Sequence, residues 1–172
     1  MDDLICVDIL DRPIGKATKE VCHEKGLLHR AFSIFIYNNG KLLLQQRAME
    51  KYHSGGLWTN ACCSHPRYGE SLYDAVPRRL CEELDIKCLC EEIGTFTYFH
   101  QFGSHLYEYE YDHVFLGKYK GGIKQNPSEV MAVKWIDIEE LSRSIMTNPE
   151  LYTIWFLTAA PMVIQELDKR TY

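Results

Sequence analysis

Trp58-Thr59-Asn60-Ala61-Cys62-Cys63-Ser64-His65-Pro66 leads through Gly69-Glu70 into Arg78-Arg79-Leu80-Cys81-Glu82-Glu83-Leu84. The first segment puts a thiol, Cys63, two residues before His65, among small and turn-forming residues that often hold reactive or metal-binding groups. The second closes a helix-periodic run, Ser71–Leu84, with Leu72, Ala75, Val76, Leu80 and Leu84 on one side. Pro77 falls inside that run, where proline kinks a helix or delays its start.

Working outward, Leu4–Leu10 reads as a strand, Asp11–Gly15 as a turn and Lys16–Glu24 as a short helix broken at Gly26. Ala31–Tyr37 and Lys41–Gln46 form a hairpin across Asn38-Asn39-Gly40, and 48–56 is loop. Ile93–Phe102 and His105–Lys118 make a second hairpin around Gly103-Ser104. Val130–Ile136 is a further strand, and Ile138–Ile145 and Glu150–Leu167 are helices. Hairpins with a helix between strand pairs predict an α+β fold, a mixed sheet with helices on both faces, rather than a doubly wound parallel sheet.

At 172 residues the chain makes one good core, so a single domain over residues 1–172 is expected. A net charge of −5 argues against nucleic acid as a main partner. No apolar run approaches the roughly 18 residues that span a bilayer, so no membrane is expected. The acidic start Met1-Asp2-Asp3 lacks a signal-peptide pattern. Seven cysteines with no CxxC pattern read as reduced thiols in a cytoplasmic protein.

Several groupings admit two readings. His23 and His29 are six apart, and on one helix they would point apart; a break at Gly26 lets them converge, and packing roles are the alternative. Glu108 and Glu110 share one face of a strand, with Tyr107, Tyr109 and Tyr111 on the other. Those carboxylates are either a solvated outer face over buried tyrosines or, with His23, His29 and His65, a site for a borderline divalent ion such as zinc or manganese. Arg79 and Glu83, at i,i+4, make at least a surface ion pair worth a few tenths of a kcal/mol. Cys63 is otherwise a small buried hydrophobe, and Trp58, Trp135 and Trp155 are core by default. Lys19, Arg47, Lys51 and Arg79 would make a diphosphate pocket if they converge.

Gly69-Glu70 through Leu84 resembles a Nudix box with altered positions. Together with His23, Gly26-Leu27-Leu28-His29-Arg30-Ala31-Phe32, Gly56-Leu57-Trp58-Thr59-Asn60, Cys63-Ser64-His65-Pro66 and Tyr107-Glu108-Tyr109-Glu110, it resembles the type I isopentenyl-diphosphate isomerases of the Nudix superfamily, from roughly Leu4 to Gln165. The resemblance implies an α/β/α Nudix-like sandwich and a role in isoprenoid biosynthesis. It implies Cys63 and Glu110 as an acid–base pair, with Tyr98 and Trp155 as active-site aromatics. It implies His23, His29, His65, Glu108 and Glu110 as ligands of a divalent metal (manganese or zinc), and Glu83 as a holder of magnesium. Lys19, Arg47, Lys51 and Arg79 match diphosphate contacts, and the partner is a small prenyl diphosphate. The chain is expected to be a monomer or weak dimer.

Such residue types suit the reaction. The alkene has no electron-withdrawing group, so protonation of its terminal carbon, giving a tertiary carbocation, must come before proton loss; one acid and one base are needed. Arg79 stands where the hydrolytic Nudix pattern has glutamate, and arginine cannot act as a base. Ser64 and Asp85 replace glycines of the box. Ser54-Gly55-Gly56 stands where Pro-Gly is common, and Ile154 where proline often precedes the tryptophan. The rival readings are a Nudix hydrolase of another diphosphate and a non-catalytic Nudix-like binding module.

Overall fold

Residues 29–38 form the strand around which everything else is arranged. Ala31-Phe32-Ser33-Ile34-Phe35-Ile36 is buried on both faces, as a strand covered on two sides must be. The computed structural model describes residues 3–170. In chain order the elements are β1 (Asp3–Val7), β2 (Pro13–Thr18), α1 (Lys19–Lys25), β3 (His29–Asn38), β4 (Lys41–Arg47), β5 (Trp58–Thr59), β6 (Cys62–Ser64), α2 (Leu72–Leu84), β7 (Cys90–Phe102), β8 (Leu106–Lys118), β9 (Val130–Asp137), α3 (Ile138–Thr147) and α4 (Ile154–Arg170).

β3 pairs antiparallel with β1, β6 and β4 along one edge and parallel with β8 along the other. β7 extends the sheet beyond β8, and β9 beyond β4. One face carries Phe35, Leu42, Leu44, Val114 and Leu116 under Trp155, Phe156, Ala159 and Val163 of α4. The opposite face carries Phe32, Ile34, Ile36, Leu43 and Phe115 under Ala75, Val76, Leu80 and Leu84 of α2. The expected sandwich, a mixed sheet between helices, is therefore the one observed. None of its helices, among the described residues, is long and apolar enough to cross a membrane.

The hairpins and the apolar side of α2 follow the sequence pattern; several other segments do not. Residues 13–18 form a strand rather than a turn running into a helix, because the segment pairs with β1. The helix waits until Lys19, where Thr18 turns extended and its side chain accepts a hydrogen bond from the Val21 amide. Trp58–Thr59 and Cys62–Ser64 are short strands claimed by β4 and β3. The last helix begins at Ile154 rather than Glu150, since Pro149–Leu151 forms a 3-10 turn and the Thr153 amide donates to the Trp58 carbonyl. Finally, α2 runs straight through Pro77. Pro77 and Tyr73 are both exposed, so the Tyr73 carbonyl that loses its helical donor is free to meet water.

Candidate active site

Strand alternation gathers the site. Paired residues in adjacent strands share a face, as do residues two apart along one strand. On β3, His29 and Ser33 share a face; Glu110 lies opposite His29, Cys63 opposite Ser33 and Tyr98 opposite Glu110. Glu108 and Asp112 join that face by alternation on β8. All three β8 carboxylates are buried, while Tyr107, Tyr109 and Tyr111 are only half-buried. The solvated-carboxylate reading is thereby overturned: parallel pairing with β3 turns the acidic face inward.

Gly26 closes α1 in the left-handed conformation (φ 60°) and returns the chain toward β3. This brings the His23 ring to 5.3 Å from that of His29 and 6.2 Å from that of His65, with His29 and His65 5.0 Å apart. Ligand-type atoms of His23, His29, His65 and Glu110 all lie within 4.8 Å of one another, and those of His23, His53 and Glu108 form a second such group. Glu108 thus shares His23 with the first group but is held by His53, whose Nε2 is 2.8 Å from a Glu108 oxygen. His53 was not among the residues expected from the sequence. The available signal was its place in the loop between Lys51 and Gly56-Leu57-Trp58, both already singled out.

The donor set fits a divalent cation. The His29 Nδ1–H donates to the Leu27 carbonyl at 2.8 Å, which fixes the tautomer and leaves a lone pair on Nε2. That lone pair faces a Glu110 oxygen 3.5 Å away, a repulsive meeting unless a cation stands between. Nε2 of His29 and both ring nitrogens of His23 are buried without hydrogen-bond partners, a costly condition that coordination relieves. Burial, with the neighbouring imidazoles, pushes the His23 pKa down to about 2, so its lone pair is available.

Protonation states are sharply divided in this cavity. Burial pushes the Cys63 thiol up to about 12, so it keeps its proton. Burial also opposes charge on Glu110, but His65 beside it outweighs burial and holds that carboxyl well below the usual range. The Nε2 of His65 donates to Glu110 at 2.8 Å. The Tyr98 hydroxyl lies 2.7 Å from Glu108 and 2.8 Å from Glu110, bridging the two carboxylates, and burial followed by Glu110 raises its pKa. Asp112 is pushed well above the carboxylate range, first by burial and then by Glu110, while accepting a hydrogen bond from Ser33 at 2.9 Å. Cys62, next to Cys63, is fully buried toward α2.

The four expected cations converge on the same cavity of about 90 Å³, with Cys63, Glu110 and Trp155 also on its wall. Lys51 pairs with Glu129, and Arg79 with Glu82 and Glu83. Glu83, held also by Gln45 at 3.0 Å, is buried, so the Arg79–Glu83 pair is more than a surface decoration. Gln45 and Glu129 carried no sequence signal of their own. The Arg47 guanidinium sits 5.1 Å from the Trp155 ring. Trp155 occupies the first turn of α4 despite the isoleucine before it, because the Thr153 hydroxyl donates to that of Thr59 at 2.9 Å and anchors the helix start.

The loop bearing Lys51 and His53 is tight rather than loose. A Cβ on Gly55 would stand 2.5 Å from the Met49 carbonyl oxygen, a backbone atom that cannot rotate away. Gly55→Ala is expected to cost about 1–3 kcal/mol in urea unfolding, as other overpacking changes do. An unchanged midpoint would show that the loop yields.

A NUDIX domain model matches residues 27–155. The isopentenyl-diphosphate Delta-isomerase of Serratia proteamaculans (strain 568) is 48% identical over 160 residues, covering 92% of this chain and 89% of that protein. Isopentenyl-diphosphate Delta-isomerase 2 of Photorhabdus laumondii is 49% identical, covering 91% and 89%. Among solved structures, DR0079 from Deinococcus radiodurans superposes with a TM-score of 0.76 at 18% identity, over 93% of this chain and 98% of its own, which shows the shared fold. With a family model over most of its length and relatives this similar, the chain belongs to the Nudix superfamily and, within it, to the isopentenyl-diphosphate Delta-isomerases.

Proposed function

We propose that this protein, as a single domain over residues 1–172, interconverts isopentenyl and dimethylallyl diphosphate by moving protons on and off the alkene, with Cys63 and Glu110 as the acid–base pair. The observation that carries this reading is that Cys63 and Glu110 line one cavity with Trp155 and the four cations, where burial favours the protonated thiol and His65 favours the charged carboxylate. Such a pair can give one proton and take another without net change. Tyr98, hydrogen-bonded to Glu110, orients that carboxylate. Trp155 offers a π face to the tertiary cation, worth about 2 kcal/mol when dry, and no lone pair that would trap it.

His23, His29, His65, Glu108 and Glu110 would hold manganese or zinc, with His53 fixing Glu108; a bound ion supplies positive charge that orients Glu110 and tunes its acidity. Glu83 would hold magnesium, which neutralises diphosphate charge. Lys19, Arg47, Lys51 and Arg79 bind the diphosphate, which stays intact and supplies the binding energy that positions the alkene. Glu129, now on Lys51 and near Arg79, must give way to it. We take the working form to be a monomer or weak dimer in the cytoplasm.

The test is isopentenyl diphosphate in D₂O with added Mg²⁺, followed by NMR. Deuterated dimethylallyl diphosphate with its diphosphate intact is expected. Phosphate release without alkene migration would make this a hydrolase and sink the proposal. Arg79→Glu is expected to weaken diphosphate binding by 10-fold or more, on the order of the 1.5–3 kcal/mol of a charged hydrogen bond. Unchanged affinity by calorimetry would remove Arg79 from the pocket.

A further inference from the structure

Cys88 and Cys90 lie away from the cavity, near the end of β8 opposite Glu108 and Glu110. Cys90 opens β7, and Cys88 sits in the irregular segment between α2 and β7. Their sulfurs are 3.7 Å apart. The cause lies across the ladder, where Cys90 pairs with Gly117. A Cβ on Gly117 would stand 2.7 Å from the Cys90 sulfur and 3.0 Å from that of Cys88, so the two thiols converge in the notch that glycine leaves. Leu89 between them points away and is 97% exposed, an unusual setting for a leucine. A disulfide needs the sulfurs at about 2.05 Å, a short closure for side chains flanked by an irregular segment.

The surroundings are equally specific. Both thiols line a groove of about 620 Å³ together with Lys87, Lys118, Lys120 and Arg170. Among the described residues, the one carboxylate lining the groove is Glu91, which pairs with Arg170, and Arg170 pairs also with Glu166. In a chain of net charge −5, three lysines around a thiol pair, beside an arginine already paired, are a local reversal of sign.

We infer that Cys88 and Cys90 form a dithiol site that undergoes exchange with small disulfides bearing carboxylates, closing to a Cys88–Cys90 disulfide. The Cys88 thiolate attacks one sulfur of RS–SR, forming a mixed disulfide and releasing RS⁻. Cys90 then attacks the Cys88 sulfur and releases the second RS⁻. The two protons of the original thiols pass to the two departing thiolates, so one dithiol and one RS–SR give one protein disulfide and two RSH. The hydrogen bond between the thiols lowers the Cys88 pKa and raises that of Cys90, which favours Cys88 as the attacking thiolate. The groove cations attract the carboxylates of RS–SR and raise its local concentration.

The experiment treats the reduced full chain with oxidised glutathione or with neutral hydroxyethyl disulfide, alkylates the remaining thiols, and maps them by peptide mass spectrometry. The wild type should give a Cys88–Cys90 disulfide while the exposed Cys81 stays alkylatable. Cys90→Ser should stop at a glutathione adduct on Cys88. Lys118→Glu with Lys120→Glu should slow reaction with oxidised glutathione about tenfold and leave the neutral disulfide unaffected. Cys81 reacting as fast as Cys88, or no Cys88 adduct in a folded Cys90→Ser protein, would overturn the site. Equal rates for both disulfides, unchanged by the lysine substitutions, would overturn its preference for anions.

Discussion

Cys63→Ala and Glu110→Gln each lower the turnover of isopentenyl diphosphate by on the order of 10³-fold or more, the effect of removing a positioned acid or base. Both variants should keep their fold. Cys63 packs against the α4-side core, and alanine there trims a small side chain without leaving a polar group unpaired. Glu110 is buried, and a glutamine of the same shape keeps an oxygen that can accept from His65 or Tyr98. Circular dichroism and urea midpoints close to wild type, with activity lost, are the expected combination. The outcome that sinks the mechanism is full activity in either variant, prepared from cells lacking any other isomerase. A variant with lost activity and a collapsed midpoint would instead assign the residue to the fold.

The sequence showed that Glu108 and Glu110 share a face but not which way that face turns. Alternation is a property of one strand, whereas inward and outward are set by its neighbours, here the parallel pairing of His29 with Glu110. The same holds for His23 and His29: the glycine break was visible, but the convergence depends on where the returning chain meets β3. Trp58–Thr59 and Cys62–Ser64 are too short to show any period, and became strands only because β4 and β3 had free edges. Pro13–Thr18 carries no strand pattern because its burial is slight and its order comes from β1. His53 and Glu129 lie in irregular segments with no pattern to mark them. By contrast, the Arg79 and Cys63 assignments rested on ordered anchors along the whole chain, and both side chains line the cavity.

Removing metal should lower thermal stability, and the metal-free protein should weaken further as pH falls below about 6.5. An ion bound only by the folded state adds about 4 kcal/mol at a thousand times its dissociation constant. Without it, His23 remains neutral down to about pH 2, while in the unfolded chain it takes up a proton near 6.5. The unfolded state therefore binds more protons between those values, and stability falls as the solution is acidified. His65, also lowered by burial, acts in the same direction. Asp112 acts in the opposite one, since its raised pKa lets the folded state hold a proton that the unfolded chain loses above its ordinary value. His23 alone contributes up to about 1.4 kcal/mol per pH unit between its folded and unfolded values. Melting curves with and without chelator at pH 7.5 and 5.5, read beside metal content, measure both effects. His23→Gln should flatten the acid dependence of the metal-free protein, because glutamine has no proton to gain. A melting temperature indifferent to verified metal loss would show that the histidine cluster is stable on its own and that its orphaned nitrogens have another partner.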